Sequence, residues 1–371
     1  MAGILQKMFG KKSTSVIGVD IGTSAIKVIQ LSRKGGKAIL ETYGEIALGP
    51  YGGVEIGRST NLSPEKIAEA LVDLMRESKV TTAMGALSIP YGSSLITTIE
   101  MPAVAEKQLT QMIPIEARKY IPVPLAEVAL DWWVIPKSNP TPGDYKDKEE
   151  KAKPDDNKVE VLLVAIHNEA LNRYQTIIKK SAIEASFFEI EIFSAIRSVL
   201  DEDPGSRMIV DLGAASTKVY ILEEGIVHVS HIINRGSQDI TLALSKSLGI
   251  TVEEAEVYKR DLSLIPPDKQ KIANDVISVT LDFIFSDIGR VLLGHQKKYN
   301  RSITRAVLVG GGARLQNVTK FAEAHLQTEI VLGDPFIKAE APSFLEEVLK
   351  HTGPEFAVAM GIALRRLQET Q

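Results

Sequence analysis

The sequence predicts an α/β fold of two duplicated halves with a smaller α+β subdomain inserted in the first. Three observations predict it: a motif near the start recurs without a gap in the second half, strands alternate with amphipathic helices, and that alternation breaks between residues 85 and 166. In the repeat, Gly18-Val-Asp20-Ile-Gly22-Thr-Ser-Ala-Ile-Lys27-Val28 lies over Ile209-Val-Asp211-Leu-Gly213-Ala-Ala-Ser-Thr-Lys218-Val219, with the aspartates 191 positions apart. A repeat of that length is a duplicated domain, since solenoid periods run to only about 20–50 residues.

The elements follow in order. Val16–Asp20 and Ile26–Leu31 are β-branched runs joined by a short glycine-containing turn, a hairpin pattern. Ser63-Pro64 caps a helix whose apolar face carries Ile67, Ala70, Leu71 and Leu74. From Gly85 to Ile166 the order becomes strand Ala86–Ile89, strand Leu95–Met101, helix Glu106–Tyr120, strand Val128–Ile135 and strand Val159–Ile166, the pattern of an inserted subdomain. Within it, Lys137–Lys158 is charged, rich in proline and nearly free of apolar residues, so a mobile loop is expected there.

Asn168–Lys180 has helical spacing, and Glu189–Leu200 reads as strand into helix. The second copy of the hairpin, Met208–Asp211 and Lys218–Leu222, is followed by a strand at Ile232–Asn234 and a helix over Asp239–Leu248. Thr251-Val-Glu-Glu254 has the capping-box pattern that opens another helix. Asp268–Lys298 predicts one long helix with Ile277, Leu281, Ile284, Ile288 and Leu292 along its core stripe and lysines at its negative end. Ala306–Val309 is a buried-type strand, Gly310-Gly311-Gly312 a turn, and a helix is expected from Ala313, facing inward through Leu315, Val318 and Ala322.

Composition narrows the function classes. At 371 residues the chain is long enough for two or three folding units, and 44% hydrophobic with 24% charged residues is the balance of a folded globular protein. A net charge of −4 argues against a general nucleic-acid or anionic-lipid binder. The absence of cysteine removes disulfides, thiolate catalysis and iron–sulfur clusters, and suits an intracellular compartment. No window has the run of about 18 apolar residues that a transmembrane segment requires. At the start, Ile4, Leu5, Met8 and Phe9 share a helical face beside lysines, readable as a frayed terminus or as a transient membrane or partner contact.

The chemistry concentrates in the turns. Each aspartate closes an apolar strand and is followed two residues on by glycine, where successive backbone N–H groups can point at one anion. The first turn offers Gly22 with the hydroxyls of Thr23 and Ser24, the second Gly213 with Ser216 and Thr217, and each hairpin returns a lysine, Lys27 or Lys218. Two such turns facing each other could clamp a polyphosphate, with Asp20 and Asp211 holding a magnesium ion through its waters. Gly310, Gly311 and Gly312 would let backbone approach a flat ligand. The six histidines form no metal-binding pair, and no P-loop, dinucleotide fingerprint or nucleophile elbow is present.

The order Asp-x-Gly turn, insert, second Asp-x-Gly turn and triple glycine resembles the actin, Hsp70 and sugar-kinase superfamily over Val16 to about Leu364, with Pro354–Gly361 similar to its second connecting helix. The inserted strands and helix resemble the FtsA-like branch. Phe9-Gly10-Lys11, the Glu116-Ala-Arg-Lys-Tyr120-Ile-Pro122 string and the pair Trp132-Trp133 resemble the PilM family of type IV pilus assembly proteins. FtsA-like proteins end in an amphipathic membrane helix, whereas this chain stops soon after Arg365-Arg366, and no such anchor is expected.

The resemblance implies an actin-like, RNase H-like fold. Its first domain is expected at 1–84, 167–205 and 355–371, its insert at 85–166 and its second domain at 206–354, with a lobe over about 250–300. It implies ATP with magnesium as ligands: Asp20, Gly22, Thr23, Ser24 and Lys27 as the first phosphate motif, Asp211, Gly213, Ser216, Thr217 and Lys218 as the second, and Gly310–Gly312 as the adenosine motif. Glu256 and Lys259, one helical turn apart, match a pair that embraces adenine and ribose, or are an ordinary surface ion pair. Gly236 would line the same cleft. Ala215 stands where many relatives have glycine, which puts hydrolysis in doubt. Glu191 is either a water-orienting catalytic residue or a structural carboxylate. The implied role is a cytoplasmic, nucleotide-binding scaffold that docks the N-terminal peptide of the inner-membrane protein PilN and is thereby recruited to the inner-membrane face, with self-association open. The alternatives are an FtsA-like or actin-like filament former and a small-molecule kinase.

Overall fold

Strand β1 (Val16–Ile21) is buried along nearly its whole length, as a strand must be when layers cover both faces of its sheet. It pairs antiparallel with β2 (Ala25–Lys34), which turns at Gly35 and Gly36 into β3 (Lys37–Ala47). Both glycines have positive φ, +58° and +83°, which side-chain-bearing residues rarely adopt. β3 escapes sequence reading because it is the sheet edge with a single buried position, Leu40, so it shows no apolar run.

The computed structural model describes residues 14–135, 158–201 and 205–370. The helical spacing at Ile4–Phe9, the Phe9-Gly10-Lys11 string and all but the last residue of the charged Lys137–Lys158 segment lie outside the described residues. Contacts divide the chain into two units, one of residues 1–90 and 174–371 and one of 91–173.

In the larger unit, helix α1 (Pro64–Glu77) starts at Ser63, whose side chain accepts from the Lys66 N–H, and buries Ile67, Ala70, Leu71 and Leu74. Strand β4 (Met84–Ile89) then lies parallel to β1. The sequence grouped Ala86–Ile89 with the insert. All of its residues after Met84 are buried, the signature of a central parallel strand, and it belongs to the first sheet. Beyond the smaller unit, the chain returns through α3 (Asn168–Ser181) to β8 (Glu184–Ile190), parallel to β4. The sheet order is β3-β2-β1-β4-β8.

The second half repeats this topology. β9 (Arg207–Leu212), β10 (Thr217–Glu223) and β11 (Ile226–Ile233) form the antiparallel meander. β12 (Arg305–Val309) is parallel to β9 and β13 (Glu329–Leu332) parallel to β12. The order β11-β10-β9-β12-β13 matches the first sheet strand for strand. Between β11 and β12 come α5 (Ser237–Leu248), α6 (Val252–Arg260), which opens on the Thr251/Glu254 capping box, and α7 (Pro267–Tyr299). After the glycine turn the backbone makes only a 3-10 turn, Gly311–Arg314, and helix α8 (Val318–Leu326) starts five residues later than the sequence suggested. Leu315 closes the turn and, with Val318 and Ala322, faces the core as the spacing predicts.

Two helices cross between the halves. α4 (Glu191–Val199) follows β8, and α10 (Ala357–Gln368) follows α9 (Glu346–Thr352). At their crossing a Cβ on Gly361 would stand 1.8 Å from the Ser194 carbonyl oxygen, so only glycine allows this approach. The buried Glu189 carboxylate ties the crossing together, accepting from Ser194, Arg197 and Arg365.

The smaller unit is an antiparallel sheet β5-β7-β6, from Ser94–Pro102, Lys158–His167 and Val128–Val134, with α2 (Glu106–Ala117) packed on it through Leu109, Ile113 and Ala117. The strands and helix expected of the insert after Ile89 are all present.

Candidate functional site

The repeated motif becomes two turns closed by the same hydrogen bond. In the first, the Gly22 N–H donates to the Ala25 carbonyl at 3.0 Å; in the second, the Gly213 N–H donates to the Ser216 carbonyl at 3.1 Å. Cross-strand register explains the recurring lysine: Asp20 pairs with Lys27 and Asp211 with Lys218, so each lysine stands beside its aspartate on one sheet face. The sequence interval between them is the hairpin itself.

The turns meet. Asp20 lies within electrostatic reach of Lys218 and Asp211 as well as of its own Lys27. Ser88 on β4 donates to Asp20 Oδ1 at 2.8 Å, a contact invisible in sequence because the two are 68 residues apart. Lys218 Nζ lies 3.0 Å from Asp211 Oδ2 and 2.8 Å from Glu191 Oε2. Glu191 opens α4, so the first connecting helix delivers a carboxylate to the second turn.

Burial sets the electrostatics. It pushes the Asp20 carboxyl up, against the pull of Lys27 and the Ser88 hydrogen bond. It also pushes Glu191 up, against Lys218. Burial acts to lower both lysines, but the carboxylates outweigh it: Glu45 and Asp20 hold Lys27 above the ordinary lysine range, and Asp211 and Glu191 do so for Lys218.

The remaining residues divide between cleft and frame. Gly310 has φ +84°, and a Cβ there would lie 2.4 Å from Asp211 Oδ1, so the third glycine turn closes directly on the second aspartate. Gly312 packs on Leu212, while Gly311 is exposed. Gly236 is buried beneath the second turn, where a Cβ would strike the Ala214 and Gly213 carbonyls. Its neighbours tie down that turn: the Ser237 and Gln238 N–H groups donate to the Gly213 and Ala214 carbonyls. Thr217 is buried and donates its hydroxyl to the Arg235 carbonyl. Thr23 and Ser24 lie on the first turn, where their carbonyls accept from Thr60 and Leu48. Ser216 is half-buried on the second.

Glu256 and Lys259 on α6 form a pair at 2.6 Å, nearly buried, and share Thr241 of α5. A surface ion pair would be solvated; this one is not. Although burial opposes it, Lys259 and Arg260 hold the Glu256 carboxyl below the usual range. The loop after β3 reaches this pair. A Cβ on Gly57 would come within 2.5 Å of the Glu256 carboxylate, and the Ser59 N–H donates to Gln238 Oε1 at 3.0 Å.

Sequence reasoning missed four charged residues that complete the cleft. Glu45 lies 3.7 Å from Lys27. Glu355, just before α10, is paired with Arg314 of the glycine turn at 2.6 Å, and burial together with nearby Glu45 pushes it up. Arg260 extends its charge toward Glu45 and Glu355. Only Glu355 carried a signal, lying inside the Pro354–Gly361 string.

With the geometry in view, the comparisons decide the family. The model of the family described as "Type IV pilus assembly protein PilM" matches residues 18–367. This chain belongs to the PilM family. The PilM family model covers both turns, the insert and the connecting helices. Among solved structures, a "PilM-PilN type IV pilus biogenesis complex" superposes with a TM-score of 0.76 at 21% identity, covering 95% of this chain and 98% of that one. MreB5 of Spiroplasma citri bound to ADP gives a TM-score of 0.51 at 13% identity, covering 97% and 98%. The cell division protein FtsA of Neisseria meningitidis serogroup B is 22% identical over 230 residues, 56% of this chain and 54% of FtsA. The chain thus spans about half the length of that curated relative. The fold expected of the sequence, actin-like with two related domains, is the fold of this group. No helix among the described residues is long and apolar enough to cross a membrane.

Proposed function

We propose that this PilM-family chain binds ATP with magnesium between its two related halves and acts, in that state, as a scaffold of type IV pilus assembly that docks the N-terminal cytoplasmic peptide of a PilN-type inner-membrane protein. One observation carries the nucleotide half: both Asp-Gly turns, with Lys27 and Lys218, converge where the Gly310 turn closes on Asp211. An ADP-bound neighbour of the same fold, MreB5, supports it, and the buried Glu256–Lys259 pair is read as the contact for the nucleoside. The family and the PilM–PilN neighbour support the partner half. Recruitment to the inner-membrane face would follow from that partner.

The charge balance supports a cation alongside the phosphates. The carboxyl groups of Asp20, Asp211, Glu191, Glu45 and Glu355 are interleaved with the cations of Lys27, Lys218, Arg314 and Arg260, so a bare triphosphate would meet carboxylates as well as lysines. Among the described residues no three His, Asp or Glu side chains are set to ligate an ion directly. Asp20 and Asp211 would hold the ion through its retained waters, in the second layer. Bound there, magnesium would neutralise phosphate charge and relieve the burial that pushes Asp20 up.

Hydrolysis should be slow. Glu191 is engaged by Lys218 at 2.8 Å, which makes it a charge partner of the second turn and a poor base for water. A ligand that grips both turns favours the closed arrangement only by its difference in affinity for open and closed states. The test is anisotropy of a fluorescent N-terminal PilN peptide with and without ATP and magnesium. Saturable binding that tightens with nucleotide is expected; nucleotide uptake with no peptide binding would overturn the scaffold role. The relation to FtsA and MreB5 favours a filament former as the second reading, and nucleotide-dependent pelleting without peptide binding would select it.

A further inference from the structure

The loop of residues 48–62, between β3 and α1, runs from the first half of the larger unit to the second and back, like a strap. Its feet are fixed. Tyr51 and Leu62 pack on the core of the first half, and the Tyr51 hydroxyl donates to Asp73 of α1 at 2.7 Å. Both feet also hold the first Asp-Gly turn, since the Leu48 N–H donates to the Ser24 carbonyl and the Thr60 N–H to the Thr23 carbonyl, each at 2.8 Å. The span between them is held more lightly. No residue from Gly52 to Asn61 is buried, and the Glu55–Arg58 pair lies within the loop itself. The span is fastened to the second half by the Ser59 N–H, which donates to Gln238 Oε1 of α5 at 3.0 Å, and by Gly57, which rests on the Glu256 carboxylate of α6. A segment with exposed backbone and few apolar contacts opens at a much smaller free energy than the core does.

Where the strap lands gives it a consequence. Glu256 Oε2 accepts from Thr241 at 2.8 Å and lies 2.6 Å from Lys259 Nζ, and Oε1 accepts from Arg260 Nε at 2.9 Å. These three partners all belong to the second half. Gly57 is the neighbour that comes from the first half, on the side of the cleft, and with it in place Glu256 is left 5% exposed. At φ +89°, and with the carboxylate 2.5 Å from where a Cβ would stand, only glycine lets the strap lie this low. A nucleoside approaching from the cleft therefore meets the strap before it meets the Glu256–Lys259 pair. We propose that residues 55–59 are a gate over the nucleoside end of the cleft, with Gln238 as its clasp, so that a nucleotide reaches or leaves the pair only while the Ser59–Gln238 bond is open. The inference rests on the nucleotide reading above and adds the route of access to it.

The absence of cysteine from the chain supplies the test. In the full chain, Ser59→Cys with Gln238→Cys puts the only two thiols across the clasp, where a short, cleavable bis-maleimide joins them. Stopped-flow fluorescence with a fluorescent ATP analogue and magnesium reads both directions of exchange. Joining the thiols should slow uptake by the unloaded chain and release from the loaded one by more than about tenfold, and cleaving the linker should restore both. Either single-cysteine variant treated with the same reagent should not be slowed. Gln238→Ala, which loses one hydrogen bond of the clasp, should instead release nucleotide about fivefold faster than the parent. Exchange indifferent to the linker overturns the gate and leaves the cleft reading standing, as does release from Gln238→Ala at the parent rate. A parent chain that takes up no nucleotide overturns the cleft reading, and the gate with it. Should the double variant alone fail to load, the Gln238→Ala rate decides.

Discussion

The Lys218 ammonium sits between Glu191 Oε2 at 2.8 Å and Asp211 Oδ2 at 3.0 Å, joining the first connecting helix to the second Asp-Gly turn. One cation thus serves two buried carboxylates from different elements.

Lys218→Met should therefore cost more than a cleft lysine normally would. It leaves Glu191 and Asp211 facing each other without their shared cation, and breaking a buried pair from one side costs about 3 kcal/mol. Urea denaturation of the unliganded protein should show that loss, and calorimetry should show nucleotide affinity down by more than about tenfold, or about 1.4 kcal/mol. A variant as stable as the parent would mean that the two carboxylates are protonated or solvated without Lys218.

Asp20→Asn should separate stability from binding. Because burial raises the Asp20 pKa in the folded state, its charged form at neutral pH is a destabilising contribution, absent below its ordinary value of 3.8 and fully developed above the raised value. The amide oxygen can still accept from Ser88. The unliganded variant is thus expected to melt higher than the parent at pH 7 while binding nucleotide with magnesium more weakly. A lower melting temperature would contradict the assigned direction.

Gly310→Ala tests the closure of the third turn. At φ +84° with Asp211 Oδ1 2.4 Å from the added Cβ, the substitution strains the backbone and displaces the aspartate. Such a positive-φ clash costs about 1–3 kcal/mol. Nucleotide affinity should fall with it, while Gly311→Ala, at an exposed position whose nearest contact is 3.9 Å away, should leave stability unchanged. Equal losses in both variants would show that Asp211 is not the sensitive contact.

Glu189→Gln probes the helix crossing. Burial works against this carboxylate, but Arg197, Ser194 and Arg365 outweigh it and hold its pKa below the ordinary 4.5. A lowered pKa stabilises the folded chain at all pH values above 4.5 and releases that stability as pH falls through the folded value. The amide should cost about 2 kcal/mol at neutral pH, discounted for the partly exposed arginines, and should flatten the decline of stability in acid. Stability curves of parent and variant that stay parallel below pH 4.5 would assign the acid loss to other groups.

Much of this was legible in one dimension because the governing patterns are local. The duplicated turn, the Ser63 and Thr251 caps and the long stripe of α7 each depend on residues within a few turns of one another. β3 was not legible because an edge strand with one buried residue lacks an apolar pattern. The start of α8 is not legible because glycines permit a 3-10 turn as readily as a helix. Arg260, Arg314 and Glu45 are not legible because an ordinary surface charge and a cleft charge look alike until the fold brings them together, whereas Glu355 lies in the Pro354–Gly361 string.

Residue order alone dictates that two copies of one strand-turn-strand unit exist, each with an aspartate and a lysine in fixed register, since short-range geometry sets that register. Tertiary structure decided that the copies face each other, that Ser88 supports Asp20, and that Lys218 is shared with Glu191. Those outcomes depend on parallel pairing of distant strands and on the close crossing at Gly361, and neither is encoded in any contiguous stretch of residues.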